Sequence, residues 1–302
     1  MRRNMIFAIL VGQAGLSMGS GCCKIRHSFH EVTGTSPMPF IARITLYPIK
    51  SLEGMVVTQA KVSPGGTLAY DREFALLGPD GKFVNGKGNA KVHRLRSVFD
   101  RETRTVALSI EGSRQSFHVE EDRAELEAWL SGFFGFPVRL VCNTLTGFPD
   151  DREAFGPTII STATLAEVSS WFPGIDPDNL RLRLRANIEI GGVPAFWEDR
   201  LFNEPGTVVE FEVGAVRFAG VNPCQRCVVP SRDPFTGETY SGFQKTFANR
   251  RQETLPPWAA RSRFNHYYRL SVNTRLSPSQ VGKVISIGDE IKVIGIRTAV
   301  SL

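Results

Sequence analysis

Short apolar stretches alternate with turn-forming residues through the first half of the chain. From residue 38 to about residue 142, hydrophobic and polar positions alternate over a few residues at a time, and clusters of Gly, Pro, Asn and Asp interrupt them at residues 64–66, 79–81 and 85–88. A period of two is typical of strands that bury one face, and such clusters form turns. The pattern therefore predicts a β-barrel over residues 38–150.

One segment of this half has helical spacing instead. Residues 122–134 place Leu126, Trp129, Leu130 and Phe133 on one face of a helix, and Gly135 can end it. A stretch rich in Thr, Gly, Pro and Asp follows at residues 143–157 and predicts a linker. A second domain is accordingly expected over residues 151–302.

The second domain opens with an apolar run at residues 158–160 and a helix start. Thr164 and Glu167 fit a capping box, and Ser161 or Thr162 can cap the helix one turn earlier. The N-terminus of such a helix offers free N–H groups to a phosphate, although an ordinary capped helix explains the same residues equally well.

Residues 180–190 show the clearest alternation in the chain, with every even position apolar and every odd position polar. This pattern predicts a strand whose polar face carries Arg181, Arg183, Arg185 and Asn187. Aligned cations repel unless an anion faces them. Glu189 and Asp199 can neutralise part of a solvated face, but a phosphorylated cofactor is the sharper interpretation, because guanidinium groups match phosphate oxygens bidentately.

Composition narrows the class of protein. With 302 residues, 42% hydrophobic and 22% charged, the chain is long enough for a substantial core and is typical of a globular protein that is mainly β with a few helices (α+β). The net charge of +6 comes with grouped arginines, which favours a local anion site over a nucleic-acid-binding face. We expect no nucleic-acid partner and no integral membrane span.

The first 37 residues form an arm ahead of the predicted barrel. Arg2 and Arg3 precede an apolar run and the pair Cys22 and Cys23, which is a weak match to a twin-arginine or lipoprotein-type signal. A wrongly assigned start explains the segment slightly better. Because the five cysteines form no obvious disulfide framework, we expect a cytoplasmic protein, with export by a signal in residues 1–23 as the alternative.

Candidate chemistry is concentrated at residues 222–237, where Cys224 and Cys227 flank Arg226 and an Asp-Pro-Phe-Thr-Gly turn follows. A nearby guanidinium stabilises a thiolate, which is the form that binds metals. Zinc, a thioredoxin-like redox pair and a structural disulfide are alternatives for a Cys-x-x-Cys motif. The lack of further ligands at suitable spacing argues against zinc, and the β-branched residues before Pro230 argue against a redox helix.

The segment Pro223-Cys224-Gln225-Arg226-Cys227 and the turn after it resemble the molybdenum-ligand loop of MOSC-domain proteins, in particular the amidoxime-reducing component and its bacterial relatives. Four further segments resemble that family, in the family's order. They are residues 43–54, 70–76, 183–188 and 196–199. The resemblance implies an N-terminal MOSC-type β-barrel followed by a MOSC domain.

This resemblance implies a molybdenum–molybdopterin cofactor, with Cys227 as the metal ligand and catalytic residue. The positions that it implies for cofactor binding, most securely the first three and the last two, are Lys50, Ser51, Arg72, Ser161, Thr162, Arg183, Arg185 and Asn187. Arg183, Cys224 and Asp199 are assigned only as neighbours of these motifs.

The implied reaction is the two-electron reduction of a small N-hydroxylated substrate such as an amidoxime, a hydroxylamine or an N-hydroxylated base. A separate electron-donor protein, ferredoxin-, cytochrome b5- or flavin-reductase-like, is expected. The alternative is a non-catalytic MOSC protein that binds or delivers molybdopterin or sulfur. Pyridoxal phosphate is associated with this family only through the cofactor sulfurases, and a pyridoxal-phosphate domain does not fit in the remaining sequence.

Overall fold

The computed structural model describes residues 38–151 and 153–299. The predicted arm at residues 1–37, with its candidate signal and its two cysteines, lies outside the described residues. Strands and α-helices of the described residues are β1 Phe40–Leu46, β2 Met55–Val57, β3 Gln59–Lys61, β4 Phe74–Leu77, β5 Arg96–Asp100, β6 Thr105–Ile110, β7 Ser113–His118, α1 Arg123–Phe134, β8 Arg139–Cys142, β9 Ile159–Ser161, α2 Thr162–Ser169, α3 Pro177–Leu184, β10 Ile188–Gly191, β11 Thr207–Val213, β12 Val216–Gln225, α4 Phe243–Glu253, β13 Arg269–Leu276, β14 Val284–Ser286 and β15 Ile291–Thr298. The predicted α+β class is confirmed.

The largest sheet has the strand order β15-β11-β12-β13-β9-β10-β1-β2. Its two ends meet, because Ile41 N donates to Asp289 O at 2.9 Å and Ile291 N donates to Pro39 O at 2.8 Å, which joins β1 to the start of β15. The sheet therefore curls into a barrel around a core of buried Ile, Val, Leu and Phe side chains. Strands β1 and β2 come before the domain boundary predicted at residue 150, yet they belong to this sheet.

Two smaller cores flank the barrel. The first lies under the three-stranded sheet β5-β6-β7, the strand pair β4-β8 and helix α1. The helix predicted at residues 122–134 is confirmed, and Gly135 ends it in the left-handed conformation at φ 82°. The second core joins helices α2, α3 and α4 through Leu165, Leu180, Leu184 and Phe247.

The strand predicted over residues 180–190 is wrong for its first half. Helix α3 covers Pro177–Leu184, with Asp176 accepting a hydrogen bond from Asn179 N at 2.7 Å as its N-cap. Arg185 ends the helix in the left-handed conformation, and strand β10 begins only at Ile188. Leu180 and Leu184 share a helix face because they are four residues apart, whereas Leu182 is 41% exposed. The arginines of this segment therefore point in different directions.

A buried ionic cluster lies between α4 and the short 3₁₀-helix Trp197–Leu201. Asp199 accepts from the Arg251 guanidinium, which packs 4.4 Å from the centre of the Phe196 ring. Burial, and then the neighbouring Asp199 charge, raises the pKa of Glu198 to about 7. Asp199 thus neutralises the buried Arg251 and not the arginines of residues 180–190. Of the two predicted acidic partners, Glu189 does pair with one of those arginines, Arg181.

The helical assignment of residues 177–184 makes a testable distinction between two leucines. Leu184→Gln should lower the free energy of unfolding by roughly 2–4 kcal/mol, because it puts an unpaired amide into the α2-α3-α4 core. Leu182→Gln should cost less than about 1 kcal/mol, since its side chain is partly in solvent. Urea denaturation measures both. Equal losses would contradict the helix, because a strand places the two leucines on the same face.

Candidate functional site

A cavity of about 760 Å³ opens beside the thiol loop and draws its walls from both halves of the chain. Its lining is strongly basic. Ten Lys and Arg residues face four Asp and Glu residues, namely Lys50, Arg72, Lys87, Arg96, Arg183, Arg185, Arg226, Arg232, Arg263 and Arg269 against Glu53, Asp71, Asp150 and Asp151. A cavity of this size is within the usual range for small-molecule sites, and its excess of positive charge selects an anionic ligand.

Strand β12 leads into the thiol loop through two register shifts against β13, between Gly220 and Asn222 and between Pro223 and Gln225. Such bulges bend a strand away from its sheet, and Pro223 is tolerated there. The far end is closed by Asp233, whose carboxylate accepts from Phe235 N and Thr236 N, each at 2.9 Å. The turn expected at the Asp-Pro-Phe-Thr-Gly segment is present.

Arg183 fastens this loop to helix α3. Its guanidinium donates to Arg232 O at 2.6 Å and to Pro230 O at 3.2 Å, and it lies 3.5 Å from an Asp233 carboxylate oxygen. The residue is only 5% exposed. Arg183 also lines the cavity. Most of its donors are used by the loop, so it positions the loop, and its direct contact with a cofactor stays a prediction.

Cys224 and Cys227 both line the cavity and are both partly exposed. Arg226 Nη1 lies 3.2 Å from Cys224 Sγ, and Arg226 Nη2 donates to Leu184 O. The contact between thiol and guanidinium that the sequence suggested therefore falls on Cys224. Cys227 has no hydrogen-bond partner for its sulfur among the described residues, which leaves the sulfur available to a ligand.

The wall opposite the loop is a stack of two arginines on one tyrosine ring. The Arg185 and Arg72 guanidinium carbons lie 4.1 Å and 5.0 Å from the centre of the Tyr47 ring. Arg72 is ion-paired with Asp71. Burial acts to lower the pKa of Arg72, but the negative charges of Asp71 and Asp150 outweigh this effect and raise the pKa. Arg185 has no acceptor among residues 38–151 and 153–299, and burial lowers its pKa. It is therefore available to bind an anion.

Asn187 lies behind this stack and is 2% exposed. Its amide nitrogen donates to Thr45 O at 3.1 Å, and its amide oxygen accepts from Arg72 Nη1 at 3.3 Å and from Thr158 N at 3.2 Å. Because its hydrogen-bonding groups are occupied, Asn187 holds Arg72 in place at the edge of the cavity.

Lys50 and Ser51 lie at the same wall. Lys50 Nζ donates to Asp150 Oδ1 at 2.6 Å and to Phe148 O at 2.9 Å. The Asp150 side chain lines the cavity and is 70% exposed. Desolvation acts to raise the pKa of Asp150, but the charges of Lys50 and Arg72 outweigh it and lower the pKa to about 2. Ser51 adopts the left-handed conformation at φ 74°, which turns the chain beneath Lys50.

Ser161 and Thr162 are not brought to the cavity. Ser161 is fully buried and caps α2 by accepting from Thr164 N at 3.1 Å, as one of the predicted caps. The Thr162 hydroxyl donates to Ile190 O at 3.3 Å. Neither residue is among those that line the cavity, so the phosphate site predicted at the start of this helix stays a prediction.

Several lining residues were missed by the sequence analysis. His93 Nε2, Arg232 Nε and Arg269 Nε are buried and have no partner in the described part of the chain. Arg232 follows the thiol motif closely in the sequence, and Arg263 and Arg269 belong to an arginine-rich stretch. These two features indicate a basic site, although neither belongs to a recognised motif. His93 comes from a distant loop and carried no such signal.

The sequence matches two family models. One, described as the MOSC N-terminal beta barrel domain, covers residues 38–135, and the other, the MOSC domain, covers residues 156–292. The chain belongs to the MOSC-domain proteins that carry the N-terminal MOSC barrel. No helix among the described residues is long and apolar enough to cross a membrane.

Curated relatives include molybdenum cofactor sulfurases. The human protein is 25% identical over 261 residues, which is 70% of this chain and 28% of its own length. The bovine protein is 23% identical over 267 residues, 71% of this chain and 29% of its own. The chain therefore spans less than a third of these relatives. A solved structure of the YUAD protein from Bacillus subtilis covers 85% of this chain and 95% of its own at 12% identity, with a TM-score of 0.34, which is too low to support an argument.

The cavity residues fit an association with the molybdenum cofactor. A pterin that carries a phosphate and two sulfur ligands is strongly anionic, and the cavity offers Arg185, which has no acceptor among the described residues, and Arg232, whose Nε has no partner there. A thiol without a partner, Cys227, lies in the same cavity. The cavity thus combines positive charge, enough volume for a small molecule and a sulfur atom that can bind a metal.

Arg185→Lys should weaken cofactor retention about tenfold, which corresponds to the loss of one charged hydrogen bond. An ammonium keeps the charge but loses the planar stack on Tyr47 and the bidentate geometry. Molybdopterin content of the purified protein measures the effect. Arg181→Lys in the same helix is the matched control, because Arg181 pairs with Glu189 and is not in the cavity lining. Equal retention by both variants would place Arg185 outside the site.

Proposed function

We propose that this protein binds a molybdenum–molybdopterin cofactor in the basic cavity and reduces small N-hydroxylated compounds. The observation that carries the proposal is a single cavity in which two cysteine thiols face an excess of Lys and Arg side chains. The family membership and the cofactor sulfurase relatives support the cofactor, while the resemblance of the thiol loop to the amidoxime-reducing component supports the reaction.

Each wall of the cavity has a defined part in this proposal. Cys227 would supply the protein's sulfur ligand, and Arg185, Lys50 and Arg72 would hold the anionic end of the pterin. Arg183 positions the thiol loop through its bonds to Pro230 O and Arg232 O. The cofactor, when bound, supplies two-electron oxygen-atom chemistry that the side chains cannot perform.

The overall reaction balances as an amidoxime plus two electrons and two protons giving an amidine and water. The N–O bond breaks, and the oxygen leaves as water. The electrons require a donor, for which a small redox protein of the ferredoxin, cytochrome b5 or flavin-reductase class is proposed. The chain's own contribution is to bind, orient and screen the substrate beside Cys227.

A second candidate function is the binding or delivery of the cofactor or its sulfur. The observation that favours it is the second thiol, because Cys224 lies in the cavity with Arg226 Nη1 at 3.2 Å from its sulfur. A guanidinium at that distance could pair with a persulfide anion carried by Cys224. This candidate predicts that Cys224 is the more important of the two thiols.

Replacement of the two cysteines separates the candidates. In protein made by a host that synthesises the cofactor, Cys227→Ala should abolish benzamidoxime reduction driven by a chemical reductant, because the metal loses its protein ligand. Cys224→Ala should keep most of the molybdenum, at about one per chain in the wild type, and most of the activity. Elemental analysis and amidine formation are the measurements.

Two results would contradict the proposal. Stoichiometric zinc without molybdenum in the wild-type protein would show that the protein does not bind the proposed molybdenum cofactor. Equal loss of activity in both cysteine variants, with unchanged thermal stability, would instead support a redox disulfide or a sulfur carrier. Cys142→Ala is the matched control, because Cys142 lies at the end of β8 outside the cavity lining.

A further inference from the structure

The cavity contains a second group of cations that the cofactor assignment does not use. Arg263 and Arg269 line it next to Cys224, and neither has a carboxylate within ion-pair distance among the described residues. Arg263 Nη2 donates to Val221 O at 2.8 Å, and Arg269 Nη1 donates to Pro223 O at 3.2 Å. Both guanidinium groups are therefore fixed against the strand that leads into the thiol loop.

Both side chains belong to the cavity lining and are partly exposed. Arg269 also donates to Asn265 Oδ1 at 2.8 Å, but its Nε is buried without a partner. Burial lowers the pKa of both arginines, and the charge of Arg263 adds to the effect on Arg269. The acidic residue that acts on Arg263 is the exposed Glu204, whose carboxylate is bound by the Ser262 hydroxyl. Two arginines that line one cavity and have no ion-paired carboxylate among the described residues are suited to bind an anion.

This pair is distinct from the arginines around Tyr47. Arg269 is paired with Gln225 in the β12-β13 ladder, one residue from Cys224. Arg185 stacks on the Tyr47 ring at 4.1 Å, whereas Arg269 donates to Pro223 O and to Asn265 Oδ1. Arg263 and Arg269 are therefore available to an anion other than the one that Arg185 would hold.

We propose that Arg263 and Arg269 bind an anionic group of the substrate, a carboxylate or a phosphate, beside the thiols. This inference rests on the proposed function and narrows its substrate class to N-hydroxylated compounds that carry a negative charge. The planar guanidinium of an arginine suits a bidentate oxyanion.

Equilibrium binding to the cofactor-loaded protein tests this selectivity. The probes are 4-carboxybenzamidoxime and neutral benzamidoxime, measured by calorimetry. Wild-type protein should bind the carboxylate about tenfold more tightly than the neutral compound, and Arg269→Gln and Arg263→Gln should each remove most of that preference while leaving benzamidoxime binding unchanged. Arg269→Lys should restore part of it. Arg261→Gln is the control, because Arg261 is exposed and outside the cavity lining.

Measurements of metal content and turnover distinguish a failure of the anion-site inference from a failure of the proposed reaction. Loss of molybdenum or molybdopterin in Arg269→Gln and Arg263→Gln would overturn the inference, because the pair would then hold the cofactor. Equal affinity of the wild type for both probes would overturn it as well. If the wild type prefers the carboxylate and loses that preference with the arginines, yet reduces neither probe, the anion site stands and the proposed reaction fails.

Discussion

Positive charge gathered in one enclosed cavity is the constraint on which the rest of the site depends. Ten Lys and Arg residues against four Asp and Glu residues would repel in a cavity partly closed to water, so each charge must be stacked, bonded or matched by a ligand. Arg72 and Lys50 are matched by Asp71 and Asp150 within the protein. Arg185 is left with only the face of Tyr47, which is the arrangement expected of a site completed by an anionic ligand.

Helix α3 explains how neighbouring arginines reach different targets. Residues 183 and 185 would lie on the same face of a strand, but the helix turns Arg183 toward the thiol loop and its left-handed end turns Arg185 toward Tyr47. The loop that carries Cys227 and the wall that faces it are thus held by two residues of one short segment. A change in the packing of α3 would move both sides of the cavity.

The sequence predicted the features that depend on local chemistry. Helix α1, the turn at Asp233 and the α+β class follow from apolar spacing and turn residues, and each is present. Residues 180–186 were misassigned because leucine and arginine alternate there, although Asp176 and Pro177 are an N-cap and a first helical residue that outweigh a period of two over so few positions. His93 could not be placed, since it reaches the cavity through long-range contacts that no motif encodes, whereas Arg263 and Arg269 were marked only by the arginine-rich stretch that contains them. Ser161 was recognised as a possible cap, but its burial away from the cavity was not foreseeable.

The central claim is that one sulfur of this chain, that of Cys227, would complete a molybdenum site in the cavity. X-ray absorption at the molybdenum edge measures it directly, because the sulfur neighbours of the metal can be counted from the scattering. The account predicts that Cys227→Ser loses one sulfur neighbour relative to the wild type, while Cys224→Ser retains the wild-type number. An unchanged sulfur count in Cys227→Ser, or the loss of a sulfur only in Cys224→Ser, would contradict it.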